Sequence, residues 1–163
     1  MTVDSPAVTG APTPPADAGH EALWMLNSLI VERATSEETA GAYTLHEQWV
    51  TADGNPPMHV HEHQDEAFLV LDGSIDVTTG DSTSRIEAGG FAFGPRGVPH
   101  TYEVTSERAH LLIISSPGGI ESFFRELGTP AQELELPEPQ APDVATVAAV
   151  AAGHGITILP PPE

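Results

Sequence analysis

From Leu23 to Ser115 the chain alternates short apolar runs with clusters of turn-forming residues. Leu23 to Arg33 reads as one strand and Ser36 to Gly41 as a polar turn. Ala42 to Val50 reads as a second strand, with Tyr43, Leu45 and Trp49 on one face. Asp53-Gly54-Asn55-Pro56-Pro57 is a strong break. Met58 to His61, Glu66 to Leu71, Ile75 to Thr79 and Ser82 to Ile86 follow as short strands. They are punctuated by the tight-turn dipeptides Asp72-Gly73 and Gly80-Asp81. Phe91 to Phe93, His100 to Val104 and Ala109 to Ser115 complete about nine strands with no helix between them. That order predicts an all-β antiparallel sandwich or barrel.

Helical spacing begins only afterwards. Ile120, Phe123, Phe124 and Leu127 share one helix face, and Gly128 stands where a left-handed C-terminal glycine belongs. Thr129 to Pro142 is a Pro/Glu spacer expected to run extended over the surface. Asp143 can cap a second short helix, Val144 to Ala152, ended by Gly153 and Gly155. Ile156 to Leu159 is a last edge strand, stopped by Pro160 to Pro162. Met1 to Gly19 is rich in Pro, Ala, Thr and Ser with almost no large apolar residue, and is expected to be a disordered leader. The organisation is therefore a leader (1–19), one barrel domain (20–128), and a tail (129–163) whose spacer, helix and strand pack on the barrel.

Charge narrows the function. The chain has 163 residues, the size of one domain, and sets 24 Asp and Glu against five Arg, for a net charge of −19. A surface this acidic repels phosphates and anionic lipid, so neither nucleic acid nor a membrane surface is an expected partner. There is no Lys, which excludes Schiff-base chemistry and a P-loop. There is no Cys, which excludes disulfides, thiolate metal sites and Cys nucleophiles. No positive side chain precedes Arg33, and the early apolar stretch Ala22 to Val31 is about half a bilayer span, so a cytoplasmic protein is expected. Any metal site must be built from His and carboxylate.

One stretch has that composition: Pro57-Met58-His59-Val60-His61-Glu62-His63-Gln64-Asp65-Glu66. If it is extended, His59, His61 and His63 share a face, and imidazoles two residues apart on a strand can converge on one ion. An isolated His is ordinarily a surface or hydrogen-bonded residue, and the same alternation beside Glu62, Asp65 and Glu66 also suits a solvated, mixed-charge edge. Glu66, however, opens the apolar run Ala67-Phe68-Leu69-Val70-Leu71, where a carboxylate is costly unless paired or bound to a cation.

Two linked motifs here resemble the cupins, a family of double-stranded β-helix (jelly-roll) barrels. The first motif matches through Gly54, His59-Val60-His61, Glu66 and Gly73, with the Gly54–His59 gap one residue short. The second matches through Gly89, Pro95, Gly97 and His100, with Val104 where the family has Asn. The resemblance covers roughly Leu23 to Ser115 and implies one divalent metal held by His59, His61, Glu66 and His100. His63 then falls on the rim, or replaces His59 in a shifted register. Nickel, cobalt, manganese or iron would all accept such a set, or zinc if the chemistry is not redox.

Three imidazoles and one carboxylate around a divalent ion leave a charge near +1, which favours an enolate or phenolate donor. With Glu66 inward, Phe68 and Val70 face inward too; with His100 inward, so do Tyr102 and Val104. Trp49, Phe91, Phe93, Leu112 and Ile114 are further candidate wall residues, and together they predict a flat, apolar-bodied ligand with an acidic hydroxyl. The wider blocks Pro-Pro-Met-His-Val-His-Glu-His and Pro-Arg-Gly-Val-Pro-His, with the tail Ile-Glu-Ser-Phe-Phe-Arg-Glu-Leu-Gly, look like single-domain bacterial quercetinase-type cupins. That implies a flavonol dioxygenase using a phenolic substrate and O2, in which Glu66 is both ligand and general base. A non-redox cupin, such as a polyketide cyclase or aromatase, and a ligand-binding cupin without turnover are the alternatives. A homodimer is expected by analogy, with Leu23 to Val31 adding to a neighbouring sheet.

Overall fold

The computed structural model describes residues 21–160; the leader expected over 1–19 lies outside them. Twelve strands and two helices follow in chain order. They are β1 (Ala22–Met25), β2 (Ser28–Ala34), β3 (Thr44–Val50), β4 (His59–His61), β5 (Asp65–Asp72), β6 (Ser74–Thr79), β7 (Ser82–Glu87), β8 (Phe91–Gly94), β9 (His100–Val104) and β10 (Ala109–Ser116). After them come α1 (Glu121–Leu127), β11 (Thr129–Pro130), α2 (Val144–Gly153) and β12 (Ile156–Ile158). The strands form two antiparallel sheets, ordered β11-β1-β2-β3-β10-β5-β8 and β12-β4-β9-β6-β7. This is the all-β architecture with short C-terminal helices that the turn signals predict. No described helix is long and apolar enough to cross a membrane.

The sheets close on an apolar core. On β5 the inward set is Glu66, Phe68 and Val70; on β9 it is His100, Tyr102 and Val104, and Ile75, Val77, Leu111 and Ile113 interleave with them. Fully buried side chains such as Val70, Ile75 and Leu111 each contribute roughly 1.5–3 kcal/mol. The turn from β5 to β6 requires glycine twice over. Gly73 has φ +80°, and a Cβ there would stand 2.3 Å from the Arg108 carbonyl oxygen. A second cluster caps one end of the barrel, where α1, α2 and β12 pack Phe123, Phe124, Ala151 and Ile156 against Leu23 and Ile30.

Three local expectations are corrected. Leu23 to Arg33 is a hairpin, because Leu26 and Asn27 both take positive φ (49° and 61°) in a two-residue turn between β1 and β2. Gly128 is extended (φ −81°, ψ 173°) instead of left-handed. Its N–H donates to the Phe124 carbonyl at 2.8 Å, and glycine is needed for closeness, since a Cβ would lie 2.7 Å from that oxygen. The β1 edge is not free for a second copy, because Thr129–Pro130 of the same chain already pairs with it. In the tail, Leu134 and Leu136 lie against Leu29, Val31 and Trp49. Asp143 caps α2, accepting from the N–H groups of Ala145 and Thr146, and β12 pairs with β4 at the sheet edge.

Candidate metal centre

The two sheets meet where β4 and β9 of one face β5 of the other. His59 lies directly opposite His100 across the β4–β9 ladder. The loop between β8 and β9 is stapled to the first motif: the Gly97 N–H donates to the His61 carbonyl at 2.8 Å. Arg96 reinforces it, donating to Asp65 from its backbone N–H (2.8 Å) and guanidinium (2.9 and 3.1 Å), and to the Ser116 carbonyl (3.2 Å). The turn Pro95-Arg96-Gly97 thus brings His100 into register with His61 and Glu66.

One potential ligand atom from each of His59, His61, Glu66 and His100 lies within 4.8 Å of the others. The Glu66 Oε2 is 3.2 Å from His100 Nε2 and 3.4 Å from His61 Nε2. His59 Nδ1 donates to the Pro57 carbonyl (2.8 Å) and His100 Nδ1 to the Val98 carbonyl (3.0 Å), which turns each Nε2 towards the cluster, where a cation would replace the His100 Nε2 bond to Glu66. Both His61 nitrogens are buried without a hydrogen-bond partner among the described residues. A divalent ion held by the four would satisfy an otherwise orphaned imidazole, so the residues present fit one. His63 is on the rim, largely exposed beside Glu62 and outside the cluster.

Electrostatics suit a cation as well. Burial pushes the Glu66 carboxyl up, but the facing His61, His100 and His59 rings outweigh it and hold the group well below the usual carboxylate range. Burial pulls His59 down to about 4 against the attraction of Glu66. Burial also pulls His100 down, and its hydrogen bond and proximity to Glu66 more than reverse that. The carboxylate is therefore anionic near neutral pH.

The cluster lines a cavity of about 80 Å³ that opens to solvent. Ligand sites are commonly 300 Å³ or more, so a multi-ring ligand would also extend into the opening; Met25, Leu26, Pro57 and Val147 are among the lining residues. Of the expected wall residues, Phe68 and Tyr102 line this cavity. Val70 does not; it is fully buried in the core beyond it. Trp49 lies on the outer face, stacked on His110 and covered with Leu29 and Val31. Phe91 and Phe93 are 60 % and 48 % exposed, because on β8 the small Ala92 takes the inward place. Leu112 and Ile114 also face outward; Leu111 and Ile113 are the buried pair, and in a run of four aliphatics nothing polar marks the phase.

Several site residues had no sequence signal of their own. Ser115, opposite Glu66 across the β10–β5 ladder, donates its hydroxyl to Glu66 Oε1 at 3.2 Å, leaving Oε2 to face the rings. Ile120 just before α1, Phe123 and Phe124 of α1, Val147 of α2 and Ile156 complete the cavity wall. The α1 stripe is the one legible hint: two adjacent Phe are more than a surface helix needs.

Residues 47–115 match the family model described as cupin domain. Over that stretch the chain is similar to a cupin domain. It is similar to quercetin 2,3-dioxygenase of Bacillus subtilis, with 32 % identity over 89 residues, 55 % of this chain and 26 % of that protein. It is also similar to an uncharacterized protein of Aquifex aeolicus, 37 % identical over 59 residues, covering 36 % of this chain and 49 % of the relative. The chain thus spans between a quarter and about half of these curated relatives. Among solved structures, it shares the fold of an RmlC-like cupin from Shewanella frigidimarina (TM-score 0.56, 15 % identity, 64 % of this chain and 89 % of that one). A protein described as a predicted oxalate decarboxylase from Thermotoga maritima superposes equally well (TM-score 0.56, 16 % identity, 66 % and 99 %).

Proposed function

We propose that this cupin is a metal-dependent dioxygenase that opens the ring of a flavonol-like phenol with O2. The observation that carries the reading is a three-imidazole, one-carboxylate cluster at the polar end of an apolar, aromatic-lined cavity. The similarity to a quercetin dioxygenase supports it. A divalent ion held by His59, His61, Glu66 and His100 would act as Lewis acid towards an acidic hydroxyl and, if redox-capable, would open a path for oxygen chemistry. The protein supplies the rest. Ser115 orients the Glu66 carboxylate, and Glu66 Oε2 is placed to take the proton of an incoming hydroxyl. Phe68, Ile113, Phe123 and Phe124 give the ring system an apolar bed and exclude water.

The test is oxygen uptake with a simple flavonol, on protein reconstituted separately with nickel, cobalt, manganese, iron and zinc. Uptake with carbon monoxide release under one redox-capable metal is the expected result. Bound metal without uptake under any of them would overturn the dioxygenase reading, in favour of a Lewis-acid cyclase or a binding role.

A further inference from the structure

Outside the metal cluster, two polar side chains that line the same cavity have a buried atom without a hydrogen-bond partner among the described residues. His46, on β3, is 2 % exposed and lines the cavity, yet its buried Nδ1 has no hydrogen-bond partner among the described residues. Among the described residues its one ring neighbour is Phe124, edge-on at 4.8 Å. Tyr102, on β9, is 3 % exposed and lines the cavity too, and its hydroxyl is likewise buried and unpartnered. Buried polar groups in native proteins are nearly always satisfied, so two orphans in one cavity call for a ligand. Their positions argue against a purely structural role. His46 stands in one cross-sheet row with Ile113 and Phe68, on the face that carries Glu66. β3 is two strands from β5, roughly 10 Å away at the usual strand spacing, about the reach of a ligand of two or three linked rings.

We infer that His46 and Tyr102 form a second, hydrogen-bonding subsite in this cavity, which selects ligands bearing a hydroxyl on a ring remote from the metal-binding oxygen. The inference rests on the flavonol reading above and deepens it: the substrate class becomes ring-hydroxylated flavonols in preference to the unsubstituted ring system. The imidazole is neutral, since burial pulls it down to about 4 despite the opposing charges of Glu66 and Glu121, so it can accept or donate one hydrogen bond. The Tyr102 hydroxyl can donate one hydrogen bond and accept another. A site whose polar groups are left unpaired by the wrong ligand discriminates strongly against it.

The test is anaerobic binding, followed by absorbance or fluorescence, of 3-hydroxyflavone and of a flavonol with additional ring hydroxyls to metal-loaded protein. The variants are His46→Leu, His46→Gln and Tyr102→Phe. The wild type is expected to prefer the hydroxylated ligand by roughly tenfold or more. His46→Leu and Tyr102→Phe are each expected to bring that ratio towards one with metal content still stoichiometric, and His46→Gln to retain part of it. An unchanged ratio in both Tyr102→Phe and the metal-replete His46 variants overturns the subsite and leaves the flavonol reading standing. Failure of the wild type to bind either flavonol overturns the flavonol reading itself. Binding without oxygen uptake removes only the dioxygenase step.

Discussion

Gly94 lies flat against the imidazole of His100: a Cβ at Gly94 would stand 3.0 Å from the ring Cγ and Cδ2 and 3.2 Å from Nδ1. Gly94 also pairs with Glu66 across the β8–β5 ladder, so one small residue backs two members of the cluster. Gly94→Ala forces the ring to give by a few tenths of an ångström, which the Nδ1 bond to Val98 resists. Displaced outer-shell support commonly weakens metal binding 10–100-fold. The expected outcome is a loss of roughly tenfold in metal affinity, measured by chelator competition, with the fold intact by circular dichroism. Wild-type affinity in Gly94→Ala would show that the ring position is not critical.

His61 and His63 share a strand face in the sequence but not a fate in the fold. His61 is buried in the cluster, whereas the His63 side chain is 65 % exposed. His61→Ala is expected to abolish stoichiometric metal, and His63→Ala to leave it intact, both read by elemental analysis after dialysis. The reverse result would mean that β4 binds in the shifted register.

Glu66→Gln keeps the shape of the side chain and removes its charge. The Ser115 hydroxyl can still donate to the amide oxygen, so the barrel is expected to melt within a few degrees of the wild type. Turnover is expected to fall by at least 10²-fold, the usual contribution of a positioned base. An unchanged rate at full metal content would remove Glu66 from the proton transfer.

Asn27 joins three segments of the chain. Its amide nitrogen donates to the carbonyls of Asp53 (2.9 Å) and Gln140 (3.0 Å), and its side-chain oxygen accepts from the Gln140 N–H (2.9 Å). It also takes positive φ in the β1–β2 turn. Asn27→Gly keeps the turn and loses the bonds, and is expected to cost about 1 kcal/mol; Asn27→Ala loses both and is expected to cost about 2 kcal/mol. Urea midpoints check the order, and equal costs would mean that the backbone conformation carries no strain.

The barrel was legible because its turns announce themselves. Asp72-Gly73 and Gly80-Asp81 bound β6 as expected, and the Pro95-Arg96-Gly97 bend sets His100 where the two-motif spacing puts it. The four clustered residues were legible for the same reason, since alternation and motif spacing are local. The cavity walls were not. Whether Leu111 or Leu112 points inward depends on a shift of pairing register at His110/Leu111, which an all-aliphatic run does not betray. Phe91 and Phe93 look like core by type, yet the inward place between them belongs to Ala92, packed against the core cluster. The β1–β2 turn was hidden because apolar residues flank Asn27 closely on both sides. Walls supplied by α1 and α2 depend on how the tail folds back, a long-range fact with no local signature.

The last prediction concerns what anchors that tail. Glu121, at the start of α1, is 4 % exposed. Its carboxylate accepts from the Ser36 N–H (2.7 Å), the Gly119 N–H (3.0 Å) and the hydroxyls of Ser36 and Thr44, tying α1 to the β2–β3 connection and to β3. Burial pushes this carboxyl up, but the hydroxyls of Ser36 and Thr44 and the N–H groups of Ser36 and of Glu121 itself outweigh it and bring it down from 4.5 to about 2. A carboxyl depressed in the folded state stabilises the fold fully above its unfolded pKa, and that contribution fades as pH falls from near 4.5 towards 2. At about 1.4 kcal/mol per pKa unit, the contribution at pH 7 is at most about 3 kcal/mol. Glu121→Gln is therefore expected to be less stable than the wild type by about 2 kcal/mol at pH 7, with the difference shrinking steadily below pH 4.5. Paired denaturant titrations at pH 7 and pH 3 measure it, and because both proteins share every other acid-sensitive group, the difference isolates this one. A gap that stays constant between the two pH values would mean that Glu121 holds α1 by shape and not by charge.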